Sequence, residues 1–282
     1  MTVTRPSTRS GAPSWTSRSD LVVVGGLAGL IGLFLALPIV ALLVRTLVSG
    51  TLGFAGTPVV LEALSLSLST TAISVVVTVC LGTPLAFVLA RRRFRGIGLV
   101  ETIVDLPIVL PPSVAGLALL LVFGHRGYLG EPASNVGFDI AFTTFAVVLA
   151  QVFVAAPFFI RAARAGIASI DSDLEDAARV DGASERQIAR FVSLPLAAPA
   201  LAAGLVMCWA RALGEFGATI MFAGNLEGRT QTLPLAVYTE FQAGSLDRSV
   251  AAATMLVVAA AGVLVAVRTF HWGRALDLRS GT

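Results

Sequence analysis

Two charged residues stand inside an otherwise apolar stretch of this chain, and they are the side chains best placed for chemistry. Arg211 and Glu215 lie four positions apart within residues 196–222, one helical turn apart on a shared face. A charge at the centre of a membrane span costs about 2.5–3.5 kcal/mol on insertion scales, so both residues need a reason to be there. A guanidinium offers forked donors matched to a tetrahedral anion, which lets Arg211 meet an oxyanion in transit. Glu215 can belong to a gate that closes such a path. Equally, the two can neutralise each other at a helix–helix or subunit interface, the usual arrangement for intramembrane ions. Arg before Glu is the weaker order for such a pair on one helix. Gly214 and Gly217 flank the pair and would allow a neighbouring backbone to come close.

Other chemistries find no residues. The twenty basic residues are all arginine, so no G-x4-G-K-[ST] loop exists and the chain cannot hydrolyse ATP in the usual way. His125 and His271 are far apart and outside any HExxH pattern. Cys80 and Cys208 fall in apolar stretches, where they read as small buried residues. No nucleophile–base set can be assembled, and no metal or cofactor is expected in this chain.

Apolar residues, 56% of the 282, come in blocks, and charged ones are only 13%. A bilayer core about 30 Å thick needs about 20 apolar residues of helix. Six blocks qualify: 21–44, 65–90, 97–123, 140–160, 196–222 and 250–267. The fold class is therefore an all-α, polytopic membrane protein. Arginines sort by loop: fifteen lie before the first block, after the second, around 161–190 and in the tail, against four in the alternate loops. That bias places both termini and the 171–195 loop in the cytoplasm. It also explains a net charge of +3 without nucleic acid. Residues 1–20 read as a disordered cytoplasmic tail, 21–60 as a first span with its external loop, and 271–282 as a second tail. The 24-residue block 21–44 is too long for the apolar region of a signal peptide, about 7–15 residues, and reads as a retained span. Pro107, Pro111 and Pro112 break the third block, which places it against other spans or a water cavity. Glu101 and Asp105 lie near the interface and read as solvated. Residues 223–249 form the longest external loop, with a short helix expected from Thr232, and Tyr238 and Phe241 near the membrane surface.

The 171–195 loop is polar and patterned. Ser172 with Glu175, and Ser184 with Gln187, are spaced as capping boxes. Leu174, Ala177 and Ala178 share one face of the first helix, and Gly182 supplies its stop. Ile188, Phe191 and Val192 repeat the spacing in a second helix expected to end at Leu194-Pro195.

The arrangement D-A-A-x3-G-x9-V-x-L-P, Asp176 to Pro195, resembles the E-A-A-x3-G-x9-I-x-L-P loop of permease subunits of bacterial ABC importers. Asp176 stands where Glu is usual, and Val192 where Ile is usual. RALGEFGATIMFAGNLEGRTQTLPLAVY, from Arg211, and LPIVLPPSVAGLALLLVFG, from Leu106, are similar to the molybdate branch and more loosely to the sulfate one. The resemblance runs from about 61 to 270. It implies the type I ABC importer permease fold with a cytoplasmic coupling helix. Leu174, Glu175, Asp176, Ala177, Ala178, Gly182, Leu194 and Pro195 would then couple to the ATPase. Arg211, Gly214, Glu215 and Gly217 are candidates for the translocation path or gate. The implied partners are an ATP-binding subunit carrying ATP and Mg, an external oxyanion-binding protein and a second copy of the chain in the lipid bilayer. Tungstate, or sulfate and thiosulfate, stand as alternative cargo. An ion-coupled secondary transporter would want paired broken helices and carboxylate relays, and one charged pair without a repeat fits it poorly.

Overall fold

A backbone deprived of water must satisfy its own N–H and C=O groups, and a helix does so within one segment. Every regular element among the described residues is accordingly a helix. The computed structural model describes residues 18–277, with side chains from 22 to 265 except residue 52. In chain order these are α1 (Arg18–Val48), α2 (Leu52–Ala55), α3 (Pro58–Arg91), α4 (Ile97–Val109), α5 (Pro112–Phe123) and α6 (Gly130–Asn135). They continue as α7 (Thr144–Ala168), α8 (Ser172–Val180), α9 (Glu185–Ile188), α10 (Leu194–Leu213), α11 (Gly217–Phe222), α12 (Leu233–Gln242) and α13 (Leu246–Asp277). A π-helical turn, Ala189–Ser193, joins α9 to α10. Five helical stretches are long and apolar enough to cross a bilayer, and α4 with α5 makes a sixth if the bent pair is one span. The tail expected at 1–20 lies outside the described residues up to residue 17. Of the tail expected at 271–282, residues up to Asp277 belong to α13.

The core is built on α3, α7 and α10. Ala86, Leu89, Phe159, Ile160, Ala163, Ala197, Trp209 and Ala212 pack together there. Small residues set the spacing: a β-carbon at Gly204 would lie 2.8 Å from that of Ala162, and Gly166 likewise sits against Ala200. Close backbones replace the hydrophobic drive that lipid cannot supply. Buried polar groups add specific links. The Ser74 hydroxyl donates to Gln151 at 2.9 Å, and the Ser67 hydroxyl accepts from the N–H of Leu233 at 2.7 Å, fixing the start of α12. By contrast α1 exposes its flank from Val22 to Leu37 and reaches the rest near Thr46, which bonds Thr254 at 2.7 Å.

Two expected spans are not continuous helices. The third, 97–123, is α4 and α5 meeting at 118°. Leu110, forced extended before Pro111 (φ −67, ψ 134), makes the corner. The fifth, 196–222, is a correction to the single helix expected there. α10 stops at Leu213 with Gly214 as its cap, and α11 restarts at Gly217. The two breaks face each other. A β-carbon on Gly217 would sit 2.8 Å from that of Pro112, and one on Gly116 would sit 2.6 Å from the Ala218 carbonyl oxygen. Thus α5 and α11 touch backbone to backbone.

Candidate functional site

The polar loop folds as two short helices, with its details changed. Asp171, not Ser172, caps α8: its carboxylate accepts from the Asp173 N–H at 3.1 Å. The Ser172–Glu175 box does not form, because Glu175 turns inward and is 3% exposed. The second box does form: the N–H of Ser184 donates to Gln187 Oε1 at 2.8 Å, and the N–H of Gln187 to Ser184 Oγ at 3.4 Å. Gly182 ends α8 at φ +85. Its N–H donates to the Arg179 carbonyl, and that of Ala183 to the Ala178 carbonyl, both at 3.0 Å. This is the paired closure that a left-handed residue after a helix permits. Leu194-Pro195 opens α10 instead of ending a second helix, since the chain passes through the π turn without stopping. Pro195 follows directly on the π turn, so the donor it lacks falls where the α-helical hydrogen-bond ladder is already interrupted.

The loop presents two faces. Leu174, Asp176, Ala177 and Gly182 are exposed, as is Pro195, while Ala178 and Leu194 are half-buried. Val180, 87% exposed, extends the outward apolar surface. Inward, Glu175 Oε1 accepts from Arg91 Nη2 at 2.8 Å and from Ser193 Oγ at 2.7 Å. Arg179 ties α8 to α9 through Glu185 at 2.8 Å and also pairs with Asp176. The hydrogen bond from that guanidinium holds the Glu185 carboxyl below its usual range. Between the end of α3 and this loop lies a cavity of about 560 Å³ lined by Phe87, Arg92 and Arg186 among others. Arg91 and Ser193 as partners of Glu175 were not legible in the sequence. Arg91 is one of four arginines in a run of five residues, and nothing local distinguishes the buried one.

At the facing breaks, Arg211 Nη1 lies 2.6 Å from Glu215 Oε2, with side-chain exposures of 27% and 1%. The other Glu215 oxygen accepts from the Ala218 N–H at 2.7 Å, filling an orphan donor at the start of α11. The pair therefore bridges a helix break rather than decorating one helix face. A cavity of about 400 Å³ opens beside it, lined by Pro112, Ser113, Arg211, Gly214, Glu215, Phe216 and Gly217. The breaks bring all four expected path residues to one place. Gly217 makes the close contact, whereas Gly214 has only its own helix's Ala210 carbonyl near it and serves as the cap.

Glu101 and Asp105 are paired rather than simply solvated, with Arg164 at 2.7 Å and Arg161 at 3.7 Å on α7. At the opposite end of α7, Asp139 accepts from Ser134 at 2.7 Å and lies 3.1 Å from His125. The Ser134 hydroxyl, then the His125 ring, hold its carboxyl below the usual range. The expected helix from Thr232 is α12, with Tyr238 and Phe241 exposed on it. Among the described residues no group of three or more His, Cys, Asp or Glu side chains is placed to hold a metal ion.

The family of binding-protein-dependent transport system inner membrane components matches residues 82–279, from the middle of α3 onward and including both loop and breaks. The chain belongs to that family. This permease is 41% identical over 87% of its length to the molybdenum transport system permease protein ModB of Mycobacterium tuberculosis, covering 92% of that protein. It is 35% identical to ModB of Escherichia coli K12, over 75% of this chain and 92% of the relative. A putative molybdenum transport system permease, YvgM of Bacillus subtilis, is 42% identical over 67% of the permease and 82% of its own length. In solved structures the fold recurs in a bacterial ABC transporter for import of alginate, with TM-score 0.71, 19% identity, and 90% and 95% of the two chains covered. It recurs also in the MetNI methionine transporter, with TM-score 0.57, 19% identity, and 75% and 94% covered. At that identity the likeness establishes the ABC importer permease fold.

Proposed function

We propose that this permease imports molybdate, driven by ATP hydrolysis on a separate subunit. The observation that carries the reading is the 41% identity with a molybdenum permease along 87% of the chain. The geometry supports the division of labour. In this reading the loop side faces the cytoplasm, and Leu174, Asp176, Ala177 and Gly182 form the outward surface of a coupling helix that enters a cleft of the ATP-binding subunit. ATP and Mg belong to that subunit. Two copies of the permease enclose the path, and an external oxyanion-binding protein delivers the cargo. When the ATPase pair closes, the coupling helices follow and the spans open outward.

The facing breaks are the candidate station on the path. Non-helical backbone at membrane depth is tolerated where it is buried in protein or lines a watery cavity, and the cavity beside Arg211 meets that condition. Its guanidinium is held by Glu215, so an arriving dianion meets a donor already partly neutralised. That arrangement gives brief contact, as passage requires. Selection between tetrahedral dianions needs a rigid, desolvated site, which belongs to the binding protein.

The test is genetic. Deleting the gene should abolish molybdoenzyme activity at trace molybdate, with rescue by high molybdate and intact sulfur assimilation. A sulfur auxotroph with normal molybdoenzymes would move the cargo to sulfate.

A further inference from the structure

Glu175 is the only buried residue of α8, and its neighbours Leu174 and Asp176 are exposed. Among the described residues, the hydrogen bonds and ion pairs that tie the helix to anything beyond α9 run through this one carboxylate. A single oxygen, Oε1, takes both strong donors. Arg91 Nη2, at 2.8 Å, comes from the last residue of α3. Ser193 Oγ, at 2.7 Å, comes from the last residue of the π turn, directly before α10. Arg91 Nη2 also lies 3.4 Å from the Ile170 carbonyl, at the entrance of the loop.

From this geometry we infer that Glu175 is a positioning residue. It belongs to a latch that fastens α8 to α3 and α10 together, and not to the surface offered to the ATPase. The inference rests on the proposed function only in taking α8 as the element that the ATPase moves. A charge-assisted bond pair in a buried setting is short and directional, so a displacement of α8 carries both membrane helices instead of bending the loop. The π turn is the second part of the device. Its wider winding brings the Ser193 hydroxyl within 3.4 Å of the Ile188 carbonyl while it reaches Glu175, and such turns mark functional positions in helices. Among the described residues Arg91 Nε has no hydrogen-bond partner, and Glu175 is the carboxylate within ion-pair distance of the Arg91 guanidinium.

The experiment uses the full complex of permease, ATPase and binding protein in liposomes, comparing Glu175→Gln, Arg91→Gln, Ser193→Ala and the exchange Glu175→Arg/Arg91→Glu. Glutamine at 175 keeps the shape and an acceptor but removes the charge, and glutamine at 91 removes the charge and shortens the side chain. Each glutamine variant should retain the ATPase and its hydrolysis, while oxyanion uptake per ATP falls about tenfold or more. Ser193→Ala, which removes one donor and threatens folding least, should lose about threefold. The exchange should recover much of the ratio. A second readout needs no cargo: spin labels at Val180 on α8 and Val88 on α3 should keep one separation with and without ATP and vanadate in the unmodified latch. That separation should become variable in Glu175→Gln. Unchanged uptake per ATP in Glu175→Gln and Ser193→Ala, loss of the ATPase from Glu175→Gln, or a label separation that already changes with the latch intact would each overturn the inference. Absence of molybdate uptake in the unmodified complex would count against the proposed cargo alone, because the label distances still decide the latch.

Discussion

Replacing Arg211 by alanine separates a buried structural pair from a functional cation. The loss leaves the Glu215 carboxylate 1% exposed with one strong donor, the Ala218 N–H at 2.7 Å. Breaking a buried ion pair by removing one partner costs about 3–5 kcal/mol. The Arg211 side chain is 27% exposed, so water screens part of the interaction and about 3 kcal/mol, the lower end, applies. At roughly 2–4 °C per kcal/mol for a chain of this size, the thermal midpoint of the purified complex should fall by about 6–12 °C. Arg211→Ala/Glu215→Ala removes the orphaned charge and should recover most of that loss, short of about 1 kcal/mol for the cap on α11. Molybdate uptake in membrane vesicles then distinguishes the roles. If Arg211 meets the anion, the double variant is stable yet transports poorly. A midpoint unchanged in Arg211→Ala would refute the buried-charge reasoning. Full uptake by the double variant would refute the path role and leave the pair structural.

Gly116→Val should cost about 1–3 kcal/mol by overpacking, because its β-carbon would lie 2.6 Å from the Ala218 carbonyl oxygen; a thermal midpoint equal to wild type would show that α5 and α11 do not touch. Gly182→Val meets no atom within 4 Å and is opposed by φ +85 alone, about 1–2 kcal/mol. Co-purification of the ATPase should weaken in that variant and persist in Gly182→Asn, whereas equal loss in both would move the cause from backbone to surface. Cysteines at Ser184 and Gly228, in a background lacking Cys80 and Cys208, should label from opposite faces of the membrane. Labelling of both from outside would overturn the assigned orientation.

The long apolar blocks, the Ser184–Gln187 box and the stop at Gly182 were legible because each depends on neighbours in sequence. A span needs only length and composition, and a cap needs a side chain within three residues of its N–H. Resemblance in the 176–195 and 211–238 segments likewise lies in consecutive residues, and it points to the ABC importer permease family without any tertiary contact. What failed locally was the contest between equal candidates. Ser172 and Asp171 can both cap α8, and the carboxylate of Glu175, which a box would have used, is drawn to Arg91 instead. Gly214 weakens α10, but the break is completed by Glu215 turning back to the Ala218 N–H.

The sequence by itself therefore determined that this chain is a bundle of membrane helices with a capped polar loop, since hydrophobic length and local hydrogen bonding are properties of contiguous residues. Only the tertiary structure decided that Pro112 meets the break before Gly217, and that one arginine among four holds Glu175. Both depend on which helices lie side by side, and that is settled by small-residue packing and buried-charge compensation between segments about 80–100 residues apart, for which no short stretch of sequence carries the information.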